Sequence, residues 1–107
     1  MKPLELEEKT EIKLRYATAL HKAFKASGLK SFRKIASLAG MEPSHIQRIA
    51  TGKNDVTLTT NVAISKALGI SYGEFAQYYD EVTPGDIKEF VEYLEAQKKG
   101  TSKAKKA

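Results

Sequence analysis

Apolar residues recur along this chain at intervals of three and four, and short polar or glycine-bearing breaks separate the runs. That period places apolar side chains on one face of an α-helix. Strict alternation, the mark of a half-buried strand, never lasts beyond a handful of positions. The pattern predicts six helices and no sheet. The first runs from about Leu6 or Thr10 to Ser27, with Ile12, Tyr16, Leu20, Ala23 and Phe24 as its stripe and Gly28 as its left-handed cap. The second spans about 32–39, opened by Ser31 and closed by Gly40, with Ile35, Ala36, Leu38 and Ala39 facing inward. The third spans about 43–51. Pro43 fits its first position, where a missing N–H costs nothing, and Gly52 ends it. The fourth spans about 58–68, between Thr57 and Gly69. The fifth opens on a capping box, Ser71 with Glu74, and runs to about Tyr79. The sixth opens at Thr83-Pro84 and runs to about Gln97, with Ile87, Phe90, Val91 and Leu94 as its stripe.

Composition narrows the field. A chain of 107 residues predicts one domain. It is long enough to bury about two-thirds of its unfolded surface without staples. Cysteine is absent, which removes disulfides, thiolate metal sites and a cysteine nucleophile. Its absence fits a reducing compartment. No apolar run approaches the ~18 residues that span a bilayer. The first eight residues are acidic and hold no apolar core of a signal peptide. The expectation is a soluble cytoplasmic protein with no membrane partner. Residues 98–107 hold five lysines and small residues, and are expected to form a disordered basic tail.

The net charge is +5, and it is unevenly spread. Between Ser31 and Asn54, Arg33, Lys34, Arg48 and Lys53 face Glu42 alone. Residues 81–97 instead hold Glu81, Asp86, Glu89, Glu92 and Glu95 against Lys88 alone. The basic segment, residues 31–52 and the loop after it, reads as two short amphipathic helices joined by Gly40-Met41-Glu42. A tight glycine-bearing turn between two such helices is the signature of a helix-turn-helix. At about 100° per residue, Ile46 and Ile49 share a core side with Ala50 beside them, and His45 lies near the edge of that side. Ser44, Arg48 and Thr51 fall opposite, with Gln47 flanking. Such a face can hydrogen-bond to base edges in the major groove, Arg to guanine and Gln to adenine. Lys53 and Asn54, in the loop that follows, are natural phosphate contacts.

These residues carry a resemblance. The stretch IASLAGMEPSHIQRIATGKND, followed by LTTNVAISKALGISYGEF, resembles the Cro- and phage-repressor-type (XRE) helix-turn-helix family. Ala36 at the helix crossing, Gly40 in the turn, PSHIQRI in the second helix and the ALGIS exit from the fourth helix match its pattern. The likeness covers roughly residues 12–79. It implies an all-α, lambda-repressor-like five-helix bundle, here with an extra C-terminal helix. The implied division is a DNA-binding domain over 1–80 with its motif at 31–52, an added helix at 81–97, and the tail. The family's DNA contacts would fall on Phe32, Pro43, Ser44, Gln47, Arg48, Thr51 and Lys53, with Arg33 and Asn54 beside them. Phe32 stands where the family often has Gln, and by spacing it also fits the core beside Ile35. Pro43 replaces a polar residue.

The function implied is a sequence-specific transcriptional regulator, a homodimer on palindromic double-stranded DNA. The alternative is a protein-interaction module, such as an antitoxin, that grips a protein partner through helix 84–97 and binds DNA to regulate itself. Tyr72, Phe75, Tyr78 and Tyr79 would fill the core and its rim, or a dimer contact. An enzyme is not expected. The sequence has no phosphate-cradling glycine loop, GxSxG elbow or HExxH motif. No metal or cofactor is expected either, since His21 and His45 are the two histidines and lack partners at ligand spacing.

Overall fold

The computed structural model describes residues 5–106, with side chains as far as Lys98. Six helices form: α1 (Leu6–Ser27), α2 (Phe32–Ala39), α3 (Pro43–Ala50), α4 (Leu58–Ala67), α5 (Tyr72–Glu81) and α6 (Pro84–Lys106). No strand occurs among the described residues. The chain is all-α, as its periodicity predicts.

Local chemistry fixes the helix ends. The hydroxyls of Ser31, Thr57 and Ser71 accept the N–H of Lys34, Thr60 and Glu74, so each satisfies a donor the first turn leaves unpaired. The Glu74 carboxylate accepts the Ser71 N–H in return, completing the capping box. Thr83 and Asp86 make the same reciprocal pair at the start of α6.

α1 is the central helix. It packs against α3, α5 and α6, and it buries four consecutive residues, Ala17, Thr18, Ala19 and Leu20. Surrounded on several sides, it shows no narrow stripe. Its alanines let neighbouring helices approach closely. The core continues through Ile35, Ile46, Ile49, Ile64, Phe75 and Val82. Buried polar groups in α1 and α4 are satisfied within their own helices: Thr18 donates to the Leu14 carbonyl, and Ser65 to that of Asn61. The Tyr16 hydroxyl donates to the Asn61 side chain at 2.7 Å and ties α1 to α4. Burial pushes its pKa above the ordinary tyrosine value, with Tyr72 adding to the rise.

Three expectations need correction. Leu38, placed on the inner face of α2, is 54% exposed. Phe32, Ile35, Ala36 and Ala39 fill one arc of this helix, and Leu38 lies about 110° from its centre. Ile12, placed on the α1 stripe, is 39% exposed. It precedes the part of α1 that its neighbours surround. The third correction concerns the bound of α6, which reaches Lys106 where the apolar stripe places its end near Gln97. Lysine and alanine are good helix formers, and Gly100 costs only about 1 kcal/mol in a helix interior. Of the other expectations, those on residues 1–4 and 107, and on lysine side chains after Lys98, lie outside the described residues.

Candidate nucleic-acid interface

α2 and α3 meet through Gly40-Met41-Glu42. Gly40 adopts φ +68°, the left-handed conformation that closes α2, and the Met41 N–H reaches back to the Ala36 carbonyl at 2.9 Å. α3 starts at Pro43 with Glu42 as its extended N-cap residue. Two turns follow. Ile46, Ile49 and Ala50 are buried against the body, while Ser44, Gln47 and Arg48 are exposed. His45 is half-buried, at the margin between the two faces. Of the outer face read from the sequence, Ser44, Gln47 and Arg48 meet solvent, whereas Thr51 does so only in part.

The loop after α3 is tightly held. The Gly52 N–H donates to the Ile49 carbonyl and the Lys53 N–H to the Arg48 carbonyl. Gly52 sits at φ +76°, and a Cβ there would lie 2.8 Å from Leu14 Cδ2 of α1. Lys53 is thus presented, exposed, by a backbone that only glycine accommodates without strain. Thr51 is half-buried, and its hydroxyl donates to the Gln47 and Arg48 carbonyls, so it caps α3. Asn54 is half-buried. Arg33 is exposed in the first turn of α2. Pro43 is exposed at the start of α3. Phe32 is half-buried, with its ring stacked on Phe24 at 4.4 Å. Its ring is committed to seating α2 on α1.

Gly52→Ala is expected to cost about 1–2 kcal/mol for the left-handed backbone alone. Gly40→Ala meets the same strain but nothing within 4 Å. The two urea midpoints therefore isolate the clash with Leu14. Equal losses would mean Leu14 yields freely.

Two residues the sequence reading undervalued hold this arrangement together. Arg15 donates from Nε to the Tyr79 carbonyl at 3.0 Å and from Nη2 to the Val82 carbonyl at 2.6 Å. Its guanidinium also lies 5.3 Å from the centre of the Tyr79 ring. It satisfies the end of α5 and fixes the corner from which α6 leaves. His21, considered in the sequence only as a metal ligand, joins four helices. Its Nε2 donates to the Ala50 carbonyl at the end of α3, at 3.0 Å. Its ring lies 4.8 Å from Phe32 and 4.8 Å from Phe90. Phe24 three residues on was the available signal, since i,i+3 neighbours share a helix face.

Burial lowers the His21 pKa below its ordinary value. The hydrogen bond to Ala50 opposes that shift, and nearby Lys25 adds to it. The unfolded chain therefore takes up a proton more readily than the native one. Stability is full above about pH 6.5 and should decline as pH falls below it. Urea midpoints between about pH 7.5 and 5 should show this slope, and His21→Gln should flatten it. Asp86 acts in a separate window. Lys22 at 2.8 Å and the bond to Thr83 hold its carboxyl down to about 2, so its contribution persists above about pH 4 and is lost below.

α6 completes the surroundings. Phe90 is buried, Ile87, Val91 and Leu94 are half-buried, and Tyr93 is 48% exposed. An open groove of about 770 Å³ lies between α6 and the candidate interface. Phe32, Gln47, Thr51 and Lys53 line it on one side, and Leu94, Glu95, Gln97 and Lys98 on the other. Among the described residues, no group of three His, Cys, Asp or Glu stands together as a metal site. No helix there is long and apolar enough to cross a membrane.

This arrangement has a counterpart among solved structures. The fold matches the crystal structure of the clp gene regulator ClgR from Corynebacterium glutamicum with a TM-score of 0.60. The match covers 97% of this chain and 93% of that one, at 16% sequence identity. The likeness is one of fold. It spans α6 as well as the helices before it. No protein-family model matches the sequence, and no curated protein does.

Proposed function

We propose that this chain is a sequence-specific DNA-binding transcriptional regulator of the repressor-like (XRE) helix-turn-helix class. α3 reads the major groove, and two copies bind a palindromic site in the cytoplasm. One observation carries the reading: α3 buries Ile46, Ile49 and Ala50 and turns Ser44, Gln47 and Arg48 outward, beside an exposed Lys53. That is the arrangement of a helix held out by its neighbours to present hydrogen-bonding side chains to base edges. Arg33, Asn54, Thr51, Pro43 and Phe32 form its border, where phosphate contacts and steric fit fall. The fold shared with a gene regulator supports the same class. No catalytic role is part of this reading.

Selection of bound DNA from a random duplex library tests it. A palindromic consensus with half-sites about one helical turn, 10 bp, apart is expected. Binding to all duplexes alike, with no consensus, would overturn base reading. The second reading, a protein partner held by α6, draws on the exposure of Tyr93 beside half-buried Val91 and Leu94. It gains if no consensus emerges and Tyr93→Ala leaves DNA affinity unchanged while abolishing association with another protein.

A further inference from the structure

We propose that His21 is a positioning residue for DNA reading, and that it passes the seating of α6 to the last turn of α3. The inference rests on the DNA-binding reading above and places a control on it outside the helix-turn-helix.

The carbonyls at the end of α3 come first. A helix leaves its last four without partners inside the helix. In α3 the Gln47 carbonyl accepts the Thr51 N–H, that of Arg48 the Lys53 N–H, and that of Ile49 the Gly52 N–H. Those three partners are local. The Ala50 carbonyl is held from another helix, by His21 Nε2 at 3.0 Å. This bond anchors the turn that carries Gln47 and Arg48 and leads into Lys53.

The rest of the ring belongs to other helices. It lies 4.8 Å from Phe32 of α2, 4.8 Å from Phe90 of α6 and 6.1 Å from Tyr93. α6 rests on α1, and the open groove separates it from Gln47, Thr51 and Lys53. His21 lines that groove too, so one imidazole joins α6 to α3 across it. An apolar side chain would fill the same space and leave the Ala50 carbonyl without its donor.

The link is sensitive to protons. Burial favours the neutral ring, the Ala50 bond opposes this, and Lys25 of α1 adds to it. The other charged or titratable groups around the ring are Lys53 after α3 and Tyr93, Glu95 and Lys98 of α6. Neighbouring Lys22 is paired with Asp86, and α2 presents only Phe32. Protonation sets a charge between two phenylalanine rings. Turning to water relieves it and releases Ala50.

The test uses the full chain, a duplex carrying the selected site and a random-sequence duplex. His21→Leu keeps apolar bulk and removes the donor. His21→Gln places an amide N–H at the reach of Nε2 and does not titrate. At pH 7.5, His21→Leu should bind the selected site about tenfold more weakly and the random duplex within about twofold of the parent. His21→Gln should recover most of that loss. Phe90→Leu should cost about three- to fivefold on the selected site in the parent and nothing further beside His21→Leu. The parent's preference for the selected site should fall as pH drops below about 6.5, and that of His21→Gln should hold. Taking the ratio of the two duplexes removes the general tightening that added positive charge gives on any DNA. His45 is retained throughout, so the difference between the profiles belongs to His21.

Equal losses on both duplexes, no recovery with glutamine, or one pH profile for parent and His21→Gln overturns the positioning role. If His21→Leu does not fold, the pH comparison with His21→Gln decides. If the parent prefers no sequence at any pH, base reading has failed before any variant is made, and this inference falls with it.

Discussion

Replacing Phe75 with alanine is expected to lower the unfolding free energy by about 3–5 kcal/mol. The side chain is 1% exposed and its ring lies 4.8 Å from Tyr16, where α5 meets α1. Deletion removes an aromatic body from a core that also holds Ile46 and Ile49, so the space left cannot readily collapse. A domain of this size has only about 5–15 kcal/mol to lose. The melting temperature should fall by about 12 °C or more, and the variant should be largely unfolded in moderate urea. Leu38→Ala, at a side chain 54% exposed, should stay within about 0.5 kcal/mol of the parent. A Phe75→Ala loss below about 1.5 kcal/mol would contradict the packing described for α5.

Arg48→Ala carries the largest expected effect on function. Arg48 is exposed on the outer face of α3, and its removal leaves Ile46 and Ile49 seated as before. Stability should hardly change. Affinity for the selected site should fall by about 1–3 kcal/mol, and preference at one base position in each half-site should relax. A guanidinium offers two parallel donors to guanine, a geometry that alanine cannot imitate and lysine imitates poorly. Lys53→Ala should behave otherwise, weakening all duplexes alike and reducing the salt slope by about 1. Competition binding with single-base variants of the site separates the two behaviours. An Arg48→Ala loss that is equal for every sequence would remove this residue from base reading.

The contrast between these positions shows what the sequence can carry. Helix ends were legible because their causes are local. Ser31, Thr57, Ser71 and Thr83 each lie one residue before a helix, and each hydroxyl accepts an N–H within that helix's first turn. The outer face of α3 was legible for a similar reason, since eight residues with two isoleucines allow one orientation only. Long-range chemistry was not. Arg15 bonds to carbonyls 64 and 67 positions away. Nothing near it in the chain announces that role. His21 is silent in the same way, because its meaning depends on Ala50 and Phe90, which the fold brings together. Leu38 misled because helical period alone ranks apolar positions poorly when a neighbour, here Phe32, competes for the same arc. The bound of α6 was not legible because an apolar stripe marks only where a helix packs, and a helix can continue past its last packed turn.

The setting of His21 has a spectroscopic consequence. Its imidazole lies in the ring-current fields of Phe32, Phe90 and Tyr93, whose centroids are 4.8, 4.8 and 6.1 Å away. The Cε1 proton should resonate far from that of half-buried His45. A single assigned line in a proton spectrum therefore reports the seating of α6 and the last turn of α3 together. Shifts of that line on adding duplex would register movement at their junction, without a label on either helix.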